Sequence, residues 1–293
     1  MQDLIERIEG FDSPRVVLAG DFMLDRYVYG DVERISPEAP VPVLRVIRTD
    51  SRPGGAGNVA AAILALGGKA ACVGIRGDDA PGEELSNLLA MSGCETAAIV
   101  RLAGRSTTIK TRYVGRAQHR NDQQILRVDH DPADAIPERV QVSLVAAVRG
   151  EIRRAGALAI QDHRKGVITE STAPEMIAEA EKAGVPALVD PAPVRDYRRY
   201  RGATVLLPNA YEAALASGIE ITDEASLEQA ARRLLDAAQG QAVIVTLGQE
   251  GMFLATADGA ARRFATRPRA VYDGTGAGDE VLAMLGVSLA AKV

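Results

Sequence analysis

A chain of 293 residues with 47% hydrophobic and 25% charged residues and a formal net charge of −5 has the balance of an ordinary globular protein. That apolar content excludes a disordered chain, no run approaches the roughly 20 apolar residues of a membrane helix, and two cysteines cannot build a disulfide framework or a zinc quartet. An acidic balance without a basic block argues against nucleic acid as the main partner, and Met1-Gln2-Asp3-Leu4-Ile5-Glu6-Arg7 lacks the apolar stretch of a secretory signal, so a cytoplasmic, reducing location is expected.

In chain order, residues 15–20 form a short apolar run ending in Gly20, which suits a buried strand. Residues 58–66 read as a helix that stops at Gly67-Gly68, and 71–75 as a strand. Further apolar runs at 157–160, 185–189, 203–207 and 242–247 read as strands. Between and beside them, 140–155, 172–183 and 226–238 are helical in pattern, and 281–291 reads as a last helix. Strands alternating with helices imply an α/β fold around a mostly parallel sheet covered on both faces. Ligands on such sheets bind beyond the carboxyl ends of the strands.

Two segments break this rhythm. Residues 27–46 contain Pro37, Pro40 and Pro42 among Val and Tyr, which excludes helix. Residues 107–129 are mostly β-branched, aromatic and charged. Both are expected to be strands of a small second sheet, a lid inserted into one domain spanning 1–293.

The stretch richest in chemistry is Asp273-Gly274-Thr275-Gly276-Ala277-Gly278-Asp279. Its glycines allow a tight turn with outward-facing N–H groups, and a helix start adjoining such a turn is a ready anion site. Asp279 beside a bound phosphate makes sense as a base that takes a proton from an attacking hydroxyl. It equally suits an acid that complements the helix dipole. A P-loop is absent, since Gly68-Lys69 is followed by Ala70, and so is the protein-kinase motif set. Gly55-Ala56-Gly57-Asn58-Val59-Ala60 fits G-x-G-x-x-A, but it follows Asp50-Ser51-Arg52-Pro53, which reads as a turn and not as the buried strand a dinucleotide site requires.

Taken together, Gly54-Gly55-Ala56-Gly57-Asn58-Val59-Ala60, the 273–279 turn and Pro208-Asn209-Ala210-Tyr211-Glu212 resemble the two signatures and the N-x-x-E motif of the ribokinase-like (PfkB) carbohydrate kinases. A narrower similarity, to the heptose 7-phosphate kinases of lipopolysaccharide synthesis, lies in residues 20–30 and 34–43, in Gln123-Gln124-Ile125-Leu126-Arg127-Val128-Asp129 and in residues 200–204. The resemblance implies a three-layer ribokinase-like fold with a β-sheet lid. It implies phosphoryl transfer from ATP, with Mg²⁺, to the anomeric hydroxyl of D-glycero-D-manno-heptose 7-phosphate. By this analogy Asp279 is the base, and the amides of Gly276, Ala277 and Gly278 hold the transferring group. Asp25, at the carboxyl end of the first strand, holds the sugar with Gly54, Gly55 and Asn58. Asn209 and Glu212 act near the triphosphate and its metal, Glu212 through water, and Thr246, Gly248 and Gly251 belong to the nucleotide side.

A phosphorylated acceptor needs a second cationic pocket. Lys110, Arg112, Arg120 and Arg127 lie in or beside the lid, and alternation places Lys110 and Arg112 on one face; the alternative is that they are solvated lid charges. Asp162-His163-Arg164-Lys165-Gly166 resembles the family's D-Y-x-K-G motif with His163 in the Tyr position, which implies that Asp162 is a substrate-binding and Lys165 a nucleotide-side residue. Asp190-Pro191-Ala192 departs from the family, where Lys follows D-P. Some of these kinases are fused to a C-terminal adenylyltransferase, to which nothing here extends, so the chain is expected to be the stand-alone kinase; the family also continues past the last helix, so its C-terminal end reads as shortened. A homodimer paired through the lids is expected. Competing readings are another ribokinase-like sugar or nucleoside kinase, a catalytically silent sugar- or nucleotide-binding protein, and a nicotinamide oxidoreductase.

Overall fold

A computed structural model describes residues 10–116, 122–132, 135–266 and 276–292. The chain runs β1 (Arg15–Gly20), β2 (Phe22–Ile35), β3 (Pro42–Gly55), α1 (Ala56–Ala65), β4 (Lys69–Gly77), α2 (Ala80–Met91), β5 (Glu95–Leu102), β6 (Ile109–Arg116) and β7 (Gln123–His130). It continues with α3 (Glu138–Ile152), β8 (Ala157–Gln161), α4 (Thr172–Lys182), β9 (Ala187–Asp190), β10 (Val205–Leu206), α5 (Ala210–Ser217) and α6 (Glu224–Ala238). The last elements are β11 (Ala242–Thr246), β12 (Met252–Thr256), β13 (Ala261–Phe264) and α7 (Ala277–Ala290).

Nine strands form the central sheet in the order β13-β12-β11-β10-β9-β8-β1-β4-β5. The pairs from β11 to β5 are parallel, and β12 and β13 close one side antiparallel. The strand period of two divides the core between the faces. Val17, Ala19, Leu158, Ile160 and Val189 join the layer of α3, α4 and α6 through Leu144, Val148, Met176 and Leu234. Val16, Leu18, Ala157, Ala159 and Leu188 join the layer of α1, α2 and α7 through Val59, Ile63, Leu85, Leu282 and Val287. The expected three-layer α/β fold is therefore present.

The lid is a separate four-stranded sheet of order β3-β2-β6-β7. Its strands lie where the lid segments are expected, but β2 and β3 reach further. β2 begins at Phe22, so Asp25 sits in the lid and not at the end of the first strand. Residues 50–53, expected as a turn, are the end of β3, where Arg52 pairs with Asp25 and Pro53 with Leu24. A proline fits there because β3 is an edge strand and its missing N–H breaks no ladder. Helix α2 escapes sequence reading because it opens with Pro81-Gly82. Pro in the first turn loses no hydrogen bond, and Asp79 caps the helix by accepting from the Gly82 amide at 2.9 Å.

Candidate active site

Strand ends and alternation build the site. Gly20, Gln161 and Asp190 are register partners across β1, β8 and β9. Gln161 and Asp190 continue the face of Ala159 and Leu188, so they turn toward α7 and α1. Asp21 and Asp162 lie one residue further along their strands and continue the opposite face. Beyond these strand ends lies a cavity of about 480 Å³.

Asp279 stands in the first turn of α7 and lines this cavity with Gly276 and Gly278. Gly276 caps the helix at φ +91°, a left-handed conformation that favours glycine, and among the described residues no side chain caps the helix start. Ala277 begins the helix. Asp273, Gly274 and Thr275 lie outside the described residues. Asn58 Nδ2 donates to Asp279 Oδ2 at 3.1 Å, and Gln161 Nε2 donates to Oδ1 at 3.0 Å. Burial pushes the Asp279 carboxyl up to about 6, against the pull of those two amides.

The lid supplies the opposite wall. Asp25, Lys110 and Asp129 are cross-strand neighbours, as are Tyr27, Arg112 and Arg127, so all six share one lid face. Arg112 Nη1 lies 3.0 Å from Asp25 Oδ1, with side chains only 11% and 9% exposed. The pair is matched in charge, but among the described residues both atoms lack an aligned hydrogen bond. Burial works against the Arg112 charge, and Asp25 more than offsets it, raising the guanidinium's proton affinity. Lys110 lines the cavity, and burial lowers its proton affinity despite Asp25 and Asp129. Arg127 shares this face but is exposed and bound to Asp129 at 2.9 Å and 3.1 Å, outside the cavity wall. At Gly54 a Cβ would come within 2.5 Å of the Asp25 carboxyl carbon, and Gly55 turns at φ +59°. Both glycines thus let β3 pass tightly between Asp25 and α1, where Asn58 sits.

The loop after β8 is pinned by Asp21, which is buried and accepts from the amides of His163 (3.0 Å), Lys165 (2.9 Å) and Val167 (3.1 Å). Asp162 borders the cavity, but its carboxylate accepts from Arg164 N at 2.8 Å and Tyr200 OH at 2.7 Å, and its Oδ2 end is sealed from solvent. Lys165 is directed to Asp131 at 2.6 Å, outside the cavity wall, and its charge lowers the proton affinity of Lys110 and His163. It therefore stands on the lid side, away from the nucleotide side assigned to it by analogy. His163 lines the cavity, and burial brings its imidazole down to about 4, so it is neutral near pH 7.

Asn209 and Glu212 form a capping box on α5: Asn209 Oδ1 accepts from Glu212 N at 2.9 Å, and Glu212 Oε2 accepts from Asn209 N at 2.8 Å. Both residues also line the cavity, with Thr246. Asn209 and Thr246 further border a second hollow of about 540 Å³ that includes Gly248, Tyr211 and Arg263. Gly251 is outside both; at φ +102° its missing Cβ lets Phe264 O pass close by. Burial raises Asp190 well above the usual carboxylate range, with Glu212, Asp279 and Asp162 adding to the rise and the Gln161 amide opposing it. Among the described residues no three His, Cys, Asp or Glu side chains converge on a metal position. Glu212 and Asp190 alone fit an ion that keeps waters and phosphate oxygens as its other ligands, which is the habit of Mg²⁺.

Sequence reasoning missed Gln161, Asp190 and Arg164 in the cavity wall. The polar break after Ala157-Leu158-Ala159-Ile160 is the signal for Gln161. Two strand ends meeting side by side bring Asp190 in, and pairing of that kind is not written in either segment alone.

A profile of the pfkB family of carbohydrate kinases matches residues 13–292, and the chain belongs to that family. It is an ATP-dependent sugar kinase. The bifunctional protein HldE of Gluconacetobacter diazotrophicus is 42% identical over 278 residues, covering 95% of this chain and 56% of that protein. The bifunctional protein HldE of Paramagnetospirillum magneticum is 42% identical over 287 residues, covering 98% and 58%. The chain thus spans little more than half the length of these curated relatives. In fold it is similar to the tetrameric inhibited form of phosphofructokinase-2 from Escherichia coli (TM-score 0.74, 21% identity, 96% of this chain and 88% of that one). It is also similar to Arabidopsis thaliana ribokinase complexed with ribose and ATP (TM-score 0.69, 21% identity, 95% and 86%). Among the described residues no helix is long and apolar enough to cross a membrane.

Proposed function

We propose that this kinase phosphorylates the anomeric hydroxyl of D-glycero-D-manno-heptose 7-phosphate, giving the 1,7-bisphosphate used toward ADP-heptose and lipopolysaccharide core, in the cytoplasm. The carrying observation is one cavity with Asp279 and uncapped helix amides on one wall and the cations Lys110 and Arg112 on the other. A free sugar has no use for that second set of charges. Asp279 accepts the proton of the acceptor hydroxyl; the acceptor oxygen bonds to the γ-phosphorus, and the bond to the β-bridging oxygen breaks with its electrons leaving on ADP. The amides of Gly276, Ala277 and Gly278 face the charge that develops on the migrating group.

Asp25 and Asn58 hold sugar hydroxyls, and the approach of β3 at Gly54 and Gly55 shapes that wall. The unaligned Asp25–Arg112 pair suits this role, because a hydroxyl and a phosphate give both atoms the hydrogen bonds they lack. Asp162 acts through Tyr200 and the loop backbone and does not touch the sugar. Asn209, Thr246 and Gly248 border the nucleotide, and Gly251 sets the turn beside it. Glu212, with Asp190, would hold Mg²⁺ through water. The ion, when bound, neutralises phosphate oxygens. Two copies pair through the lid.

A panel of sugars assayed for ADP release with ATP and Mg²⁺ tests the reading. Turnover is expected with the heptose 7-phosphate and not with the unphosphorylated heptose, and Lys110→Ala with Arg112→Ala should weaken the apparent affinity for the phosphorylated sugar. Equal use of both sugars, or an unchanged affinity in the double variant, contradicts it.

A further inference from the structure

The amide of Gln161 occupies an unusual position. The residue is 2% exposed, and its Nε2 lies 3.0 Å from Asp279 Oδ1, 3.0 Å from Asp190 Oδ2 and 3.3 Å from His163 Nε2. An amide nitrogen has two hydrogens, so the two acids use both. Its Oε1 is buried and, among the described residues, has no hydrogen-bond partner. Turning the amide over would set that oxygen against two carboxylates. The orientation therefore leaves a buried carbonyl unmatched in order to present both hydrogens to Asp279 and Asp190. The backbone enforces this placement: a Cβ on Gly20 would come within 2.6 Å of Gln161 O and 3.0 Å of Gln161 Cβ, so a glycine is needed beside it.

We propose that Gln161 is a positioning residue for phosphoryl transfer: its one amide donates to Asp279 and Asp190 at once, holding the base in line with the acceptor. Resting on the reading of Asp279 as the base, the proposal gives Gln161 no contact with the reacting atoms. Asn58 from α1 completes the clamp on the other oxygen of Asp279. The charged groups around Asp279 are Asp25 and Lys110 from the lid and Asp190 from β9. Asp190 in turn meets Glu212 of α5 and Asp162. His163, the third neighbour of the amide, is uncharged near neutrality and adds no competing cation.

The test compares kcat, KM and the pH profile of kcat/KM for the full chain, Gln161→Leu, Gln161→Glu and Asp279→Ala, using the acceptor that turns over fastest in the sugar panel. Loss of alignment in Gln161→Leu should lower kcat by ~10²-fold, with KM little changed. Asp279 must be ionised to take a proton, and losing a donor raises its pKa, so the acid limb should move to higher pH by on the order of one unit. Gln161→Glu keeps the shape, guards against a misfolded Leu variant, and should move the limb the same way by adding a third acid. A packing role predicts lower melting temperature with an unmoved limb. If Asp279→Ala is inactive and both Gln161 variants superimpose on the parent profile, the role of Gln161 is overturned and the base reading stands. If Asp279→Ala keeps its turnover, the base reading falls and the proposal with it.

Discussion

At Asp279 two demands oppose each other. The proposed role as base asks for an ionised carboxylate, and the fold places it where burial raises its pKa to about 6. The folded state then binds this proton more tightly than the unfolded chain does. The associated stability is present below the ordinary carboxylate pKa near 4 and is lost as pH rises through about 6. Asp279→Asn removes the titration, and the Asn58 amide can turn over to meet the new NH₂. Thermal melts should show the variant more stable than the parent at pH 8 and no such advantage at pH 4, with turnover lost. A variant less stable at pH 8, or one with the same advantage at both pH values, contradicts the assignment of a raised pKa. Asp21, also lifted to about 6 by burial, titrates alike in both proteins and cancels from the comparison.

In the proposed reading the lid is the element on which acceptor choice and self-association meet. Its proline-broken and β-branched segments are legible as strands in the sequence, and the alternation of Lys110 and Arg112 correctly puts both on one face. The ends of β2 and β3 are not legible. They run on because each pairs with the other as far as Phe22 and Gly55, a long-range match that outweighs the turn chemistry of residues 50–53. Edge strands β3 and β7 expose Val46 and Ile47 (55% and 62%) and Leu126 (54%). Ile47 is the extra residue where the β2–β3 register shifts, and with Val46 it leaves open apolar surface on the edge strand. A second lid would cover it. Light scattering at micromolar concentration should report a dimer, and Ile47→Arg with Leu126→Arg should give monomers. A parent chain that is monomeric at that concentration contradicts pairing through the lid.

Across the whole molecule, the site lies where parallel strands end and two insertions fold back over them. Motif spacing leads directly to Asp279, Asn58, Asn209 and Glu212, because glycine turns and helix caps are local features. At Asp162 and Lys165 the side chains are directed to partners that motif spacing does not show. The motif names those residues, but the strand period turns the Asp162 side chain to the far face, and Asp131 draws the Lys165 ammonium outward. Gln161 and Asp190 become visible only when β8 and β9 are laid side by side. The account therefore converges on one carboxylate at a helix start, clamped by amides from two layers of the fold. Its most direct test is the rate of ADP release from ATP and D-glycero-D-manno-heptose 7-phosphate by the parent chain and by Asp279→Ala. The account predicts a kcat lower by ~10²- to 10⁴-fold in the variant, with sugar binding retained. A variant that turns over at the parent rate would contradict it.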